Sequence, residues 1–292
     1  MLKKSKLSYG LTAFIDVLGF GAQVASANSG DDLQELLKCI SQIRKAFEHK
    51  PTNPSAKATH AAYGKSVLAF SDSVIVNVPL ASRMTEIEGT FDALMSELHS
   101  MAFAQATCIE HALFMRGGVD LDWWYRDGTT LVSKSLANAY ALEGAASVPV
   151  IAVTDRVYDF LANHSGRAAY TEDYDPLPTM IREYSGVVAG KAISIRHLDY
   201  LSIFAGEVDW TPTLANRTAL LSLPAEQRDQ QMEAWRLENL RYWFAGHART
   251  IELAHSRGHP ASIQAKYEWL AEYHNEVASG YTSADPACVC VV

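Results

Sequence analysis

The amino-acid sequence predicts an α+β fold in which helices pack on one largely antiparallel sheet, with a helical appendage behind it. Three observations carry that reading. Short β-rich runs and helix-period segments follow one another in the order β-α-ββ-α-β-α-β. Two of the runs, between Ser66 and Val78, are separated only by Ser71, Asp72 and Ser73, which is hairpin spacing and therefore antiparallel. From about Ala225 strand signals stop and long helical stretches take over. The 292 residues fit a main domain over 1–210 and a helical extension over 211–292.

Taken in order, Leu11 to Val17 is a buried-strand pattern ended by Gly19 and Gly21. Leu33, Leu36, Leu37, Ile40, Ile43 and Phe47 recur at helical spacing behind Asp31 and Asp32, which suit the positive end of a helix. Lys50 to His60, with Pro51, Pro54 and small polar residues, reads as a loop. Next come an expected helix over 86–106, a strand over 113–121, a helix over 135–146, a strand over 148–153 and a helix over 155–163. Residues 164–186 are polar, proline-bearing and rich in Tyr and Asp, the composition of a long loop or irregular hairpin, and 192–204 form a last strand. Two helices over 225–256 and 261–278 are broken by Gly258, His259 and Pro260.

Composition removes several classes of function. Lys plus Arg number 25 against 33 Asp plus Glu, a net charge of -8, and no basic run exceeds the cluster of Lys3, Lys4 and Lys6. A nucleic-acid partner, which needs a basic face for its phosphates, is therefore not expected. No apolar run approaches the roughly 18 residues of a membrane span, and the N-terminal segment lacks a signal-peptide pattern. The expectation is a cytoplasmic chain with no membrane partner. Cys39, Cys108, Cys288 and Cys290 contain no C-x-x-C pair, so neither a zinc framework nor a disulfide scaffold is expected. His247, His255 and His259 lie close together without an H-E-x-x-H pattern and read as surface or core side chains. Gly64, Lys65 and Ser66 imitate the end of a P-loop, but Thr59 stands where its first glycine belongs and a strand follows where a helix should.

What remains is a pair of acids. Asp16 ends a buried strand just before a glycine-bearing turn, and Asp72 sits at a hairpin turn between apolar strands. If those strands are neighbours, both carboxylates reach one end of the sheet, where hard oxygen ligands suit Mg²⁺ or Mn²⁺. The turn through Gly19 and Gly21 leads towards a helix N-terminus, whose amides can hold phosphates. Arg116, ahead of Gly117 and Gly118, can offer phosphate a bidentate fork. The residues alone leave a plainer reading open, with Asp16 a strand-end cap and Asp72 a solvated hairpin residue.

The same acids carry a resemblance. Phe14, Asp16, Gly19 and Phe20 resemble the F-x-D-x-x-G-F opening of the class III nucleotide cyclases. Residues 69–76 around Asp72 resemble that family's second metal hairpin, and 115–120 through Arg116 are similar to its R-x-G-I strand. Residues 135–143, ending in Leu142 and Glu143, resemble its V-N-x-A-x-R-L-E helix. All stand in family order. The resemblance implies a class III cyclase-like, palm-type sheet in which Asp16 and Asp72 hold two divalent cations, Mn²⁺ or Mg²⁺, with the Val17 carbonyl as a further ligand. It implies that Phe14, Gly19, Phe20 and Gly21 line a nucleoside triphosphate site, that Arg116 meets phosphate, and that the sites lie at the interface of a homodimer.

Two departures point to a branch. Leu68 stands where purine cyclases place a base-reading Lys, and Ala137 and Ala141 stand where the late helix has Asn and Arg. The variant Ala139, Tyr140, Leu142 and Glu143, with 266–270 and 273–275 downstream, resembles the pyrimidine cyclases of bacterial Pycsar anti-phage systems. That resemblance implies synthesis of cyclic UMP or cyclic CMP, with UTP favoured over CTP, to switch on a separate effector without stable contact. The other readings are a purine cyclase with an unusual base pocket, a nucleotide-binding homologue without turnover, and a palm-type polymerase or dinucleotide cyclase. The chain lacks the GGDEF-type paired acid of the last.

Overall fold

The structure, a computed structural model, describes residues 7–47, 54–127 and 130–292, and the chain divides into a unit reaching to Tyr200 and a second, Leu201–Val292. The division falls ahead of the residue 210 boundary expected from sequence. In the first unit β1 (Leu7–Val17) turns through Gly19 into α1 (Phe20–Ser26), α2 (Gly30–Phe47) and α3 (Pro54–Tyr63). The hairpin β2 (Ser66–Phe70) and β3 (Ser73–Pro79) leads to α4 (Arg83–Glu88), α5 (Thr90–Ile109), β4 (Met115–Asp127), β5 (Thr130–Ser133) and α6 (Lys134–Ala146). Then come β6 (Ile151–Val153), α7 (Asp155–Ala162), α8 (Pro176–Met180) and the hairpin β7 (Ile181–Val188) and β8 (Lys191–Leu198). The strands form a mixed sheet in the order β2-β3-β1-β4-β6-β8-β7, with β5 on β4. The β4–β6 pair is parallel and the other pairs are antiparallel.

Strand alternation sorts this sheet into two unlike faces. Leu11, Ala13, Ile15 and Val17 of β1 share one face with Val74, Val76 and Val78 of β3 and Met115, Val119 and Leu121 of β4, all buried. That apolar face is served by α2 and α5, whose Ile43, Phe47, Phe91, Leu94, Leu98 and Met101 are also buried. The other parity reads Thr12, Phe14 and Asp16; Ser73, Ile75 and Asn77; Arg116, Gly118, Asp120 and Asp122. It is mostly polar, and α6 lies on it.

Geometry explains how α6 fits there. Two strand residues and four helix residues both advance about 6–7 Å, so one helix can match alternate residues of one strand. Glu143 meets Arg116, Ala139 meets Gly118, Asn138 donates to Asp120 at 2.8 Å, and Lys134 pairs with Asp122 at 2.8 Å. The close approach needs glycine at 118, because a Cβ there would sit 2.1 Å from the Ala139 carbonyl oxygen.

Several expected elements have different limits. Residues 54–63 are helical where a loop was expected: Pro54 is the first helical residue, a place that needs no N–H, and the alanines continue the helix. Residues 48–53 and the Lys3, Lys4 and Lys6 cluster lie outside the described residues. The helix expected over 86–106 is two, divided at Gly89, whose φ of 92° a side chain resists. Half-buried edge strand β7 was hidden in the polar 164–186 stretch. The last strand ends at Leu198, not 204. The P-loop look-alike is structural: Gly64 ends α3, and Lys65 pairs with buried Glu97 at 2.8 Å.

The second unit is helical. After α9 (Tyr200–Glu207) come α10 (Leu214–Ser222), α11 (Ala225–His255) and α12 (Ala261–Thr282). Trp243 stacks on Phe204 with ring centroids 4.3 Å apart, and Phe244 packs edge-on to His274. The chain end is tied to α12, since the Asn275 amide donates to the Cys290 carbonyl at 2.9 Å and accepts from its N–H at 2.7 Å. Among the described residues no helix is long and apolar enough to cross a membrane.

His247 and His274 stack in this unit with Nδ1 atoms 2.9 Å apart. His274 Nε2 lies 2.8 Å from the Cys288 carbonyl oxygen and must donate to it, so neutral His274 accepts at Nδ1 from His247. Burial pushes both rings below the ordinary histidine range, and it pushes His197 of the first unit to about 4. The unfolded chain therefore takes up protons below pH ~6.5 while these rings stay neutral, so stability is full above that pH and is lost as pH falls towards 4. Each ring contributes about 1.4 kcal/mol per pH unit across its window. Thermal melts between pH 7.5 and 5 should show a falling midpoint, and His247→Phe should flatten the slope; a flat wild-type profile contradicts the assignment.

Candidate functional site

Register builds the site. Asp16, next to last in β1, lies opposite Arg116 of β4, and on the other side the Ile15–Val74 pair puts it level with Ser73. Asp72 occupies the β2–β3 turn next to Ser73, where Ser71 takes a φ of 52°. Asp16 and Asp72 therefore meet at one end of the sheet. The Arg116 Nη2 donates to Asp16 Oδ2 at 2.9 Å, and Ser73 Oγ donates to Asp16 Oδ1 at 3.3 Å. Arg116 Nε stands 2.7 Å from Glu143 Oε1, an ion pair and not a linear hydrogen bond.

Burial pushes the Asp16 carboxyl above the ordinary carboxylate range. The Arg116 hydrogen bond draws it back, and the adjacent Asp72 carboxylate raises it again. Cys39 is pushed up to about 11, first by burial and then by Asp72, so thiolate chemistry has no place here. Asp16, Asp72 and Glu143 set three carboxylates against one guanidinium, in a half-buried setting that favours a further positive charge.

The remaining candidates are unequally placed. Phe14 shares the Asp16 face and packs with Ile75 and Ala139, its ring edge-on to Tyr140 at 5.2 Å. Gly19 precedes α1 with a φ of 81°, and its carbonyl accepts from Ala22 and Gln23, so the Phe20 and Gly21 amides head the helix. The Phe20 ring is buried in the core, leaving only its backbone to line a site. Val17 is buried at the end of β1. Leu68 packs against the Phe14, Ile75 and Ala139 cluster, while Ala137 and Ala141 lie exposed on the outer side of α6. Ser73 and Glu143 stood in the hairpin and late-helix motifs without a site role being assigned to them. Their signal was parity: Thr12, Phe14 and Asp16 stand two apart, and Glu143 lies one turn beyond Ala139.

Among the described residues no three His, Cys, Asp or Glu side chains gather as a metal cage. Two carboxylates nonetheless form the donor set of a hard divalent cation whose other ligands are backbone, substrate and water oxygens. Asp16 and Asp72, pressed together with too little positive charge nearby, fit that description.

No family model matches the chain, and no curated protein matches it. Solved structures are similar to it. One is a bacterial light-regulated adenylyl cyclase, 17% identical over 66% of this chain and 91% of that one, with a TM-score of 0.36. Another is the adenylyl cyclase CyaB from P. aeruginosa, 14% identical over 67% and 96%, with a TM-score of 0.40. A third is the guanylate cyclase domain of RhGC from Catenaria anguillulae in complex with GTP, 13% identical over 65% and 94%, with a TM-score of 0.35. At these scores the likeness assigns nothing to individual residues.

Proposed function

We propose that the chain is a nucleotide cyclase that converts UTP to 3′,5′-cyclic UMP and pyrophosphate. The observation that carries the proposal is the meeting of Asp16 and Asp72 on the polar sheet face, next to the glycine turn that heads α1. Asp16, Asp72 and the Val17 carbonyl would hold two divalent cations, Mn²⁺ or Mg²⁺. When bound, these supply charge neutralisation for the triphosphate and acidify the ribose 3′-hydroxyl. The Phe20 and Gly21 amides present N–H groups to phosphate. Arg116 keeps Asp16 in place through Nη2 and would meet a phosphate oxygen with its remaining N–H groups. The 3′-oxygen attacks the α-phosphorus in line, its proton passes to solvent, and pyrophosphate leaves. The protein's share is positioning and charge.

Leu68 supports a pyrimidine, because it cannot donate the hydrogen bond that the resemblance assigns to the base-reading Lys of purine cyclases. Exposed Phe70, Val132 and Tyr140 on the elements around the site support a homodimer that completes it. The resemblance to Pycsar cyclases supports an anti-phage role in which the product acts on a separate effector. CTP as substrate is the near alternative. A nucleotide-binding domain without turnover is the second reading, favoured by Ala141 where the resemblance expects Arg.

Incubation with Mn²⁺ or Mg²⁺ and each of the four ribonucleoside triphosphates, followed by mass spectrometry, tests the proposal. Cyclic UMP as main product is expected. Cyclic AMP or cyclic GMP as main product would overturn the base assignment, and binding without turnover would leave the second reading.

A further inference from the structure

We infer that Glu143 is the positioning residue of the carboxylate site: it holds Arg116 by Nε, so that Arg116 reaches Asp16 through Nη2 alone and leaves Asp16 Oδ1 for a divalent cation. This rests on the reading of Asp16 and Asp72 as cation ligands. An arginine beside a lone carboxylate tends to lay its fork across both oxygens. Here Nη2 alone donates to Asp16 Oδ2, at 2.9 Å, while Glu143 Oε1 stands 2.7 Å from Nε as an ion-pair partner and draws that edge of the guanidinium away from Asp16. Asp16 Oδ1 accepts a long contact from Ser73 Oγ, 3.3 Å, on the side of the Asp72 turn, and the Asp72 carboxyl lies beside it. Glu143 is well placed to hold the guanidinium still, because its side chain is 6% exposed against 28% for Arg116. Its own position is fixed one turn beyond the Ala139–Gly118 contact, where α6 lies flat on β4. Charge acts in the same direction. Three carboxylates and one guanidinium leave two negative charges, the complement of one divalent cation, and without Glu143 only one would remain.

The test is Mn²⁺ binding to the full chain without nucleotide, followed by the paramagnetic resonance signal of free Mn²⁺. Wild type, Glu143→Gln, Arg116→Gln, the double variant and Asp72→Asn are compared, with thermal melts alongside. Glu143→Gln should weaken Mn²⁺ binding roughly tenfold, and the same change in the Arg116→Gln background should do so much less, because its effect passes through Arg116. Glu143→Asp, which keeps the charge, should bind within about threefold of wild type and serves as the reading should the Gln variant not fold. Unchanged Mn²⁺ affinity in Glu143→Gln, whatever its melting point, overturns the inference while leaving the site reading intact. So does equal weakening in both backgrounds, or a Glu143→Asp variant as weak as Asp72→Asn. Wild type that binds no better than Asp72→Asn overturns the site reading and this inference with it.

Discussion

Asp72→Asn should lower turnover of the preferred triphosphate by roughly a thousandfold or more while leaving the fold at least as stable as before. The two halves of that expectation have one cause. Asp16 and Asp72 are held close enough for each to oppose the other's charge, and burial adds to the cost of ionising Asp16. A fold selected only for stability would not keep such a pair, so replacing Asp72 with an isosteric amide removes a repulsion as well as the proposed cation ligand. Because Asp16 titrates above its ordinary range, its ionised form is disfavoured by folding, and relieving it cannot cost stability through that group. Initial rates and thermal melts of the purified variant check both halves. A variant that loses activity together with several degrees of melting temperature would mark Asp72 as a turn residue whose loss simply damages the hairpin.

Gly118→Ala should be a strongly destabilising single-methyl change, at about 3 kcal/mol or more. The added Cβ would lie 2.1 Å from the Ala139 carbonyl oxygen, and that oxygen belongs to helix backbone that cannot swing aside. Relief requires α6 to lift from β4, which would stretch the Asn138–Asp120 and Lys134–Asp122 contacts and pull Glu143 from Arg116. Turnover should fall with stability for that reason. Gly144→Ala is the matched control: it lies in the same helix with nothing within 4 Å of the added carbon, and alanine should stabilise there by up to about 1 kcal/mol. Denaturant unfolding of the two variants beside the parent measures the contrast. Equal stability in both would show that α6 is not seated on β4 through Gly118.

The elements with strong local signals were legible from sequence. Strand β1 declares itself through Leu11 to Val17, and the hairpin through the polar Ser71–Ser73 interruption. The elements that were missed lack such signals. Strand β7 alternates buried and exposed residues only in its paired context, since Arg182, Glu183 and Ser185 look like loop in isolation. Helix α3 begins with the very proline that suggested a loop. At the site, the glycine turn and the two acids could be named from local pattern, because strand ends and turns are where chemistry is exposed. Glu143 stood in the late-helix motif, but its role could not be read there, because its partner is separated from it by α6, β5 and most of β4, and only the pairing of helix and strand registers brings Arg116 beneath it. The Phe20 ring went the other way: the motif suggested a site residue, and burial shows a core one.

The measurement that bears most directly on the central claim is pyrophosphate release from UTP and from 3′-deoxy-UTP under the same Mn²⁺ conditions. If the ribose 3′-oxygen is the nucleophile at the Asp16 and Asp72 site, UTP gives pyrophosphate and cyclic UMP in equal amounts. The 3′-deoxy analogue then competes for binding yet releases no pyrophosphate. Release from the analogue at a rate like that from UTP would mean that water attacks the phosphorus, and the chain would be a hydrolase and not a cyclase.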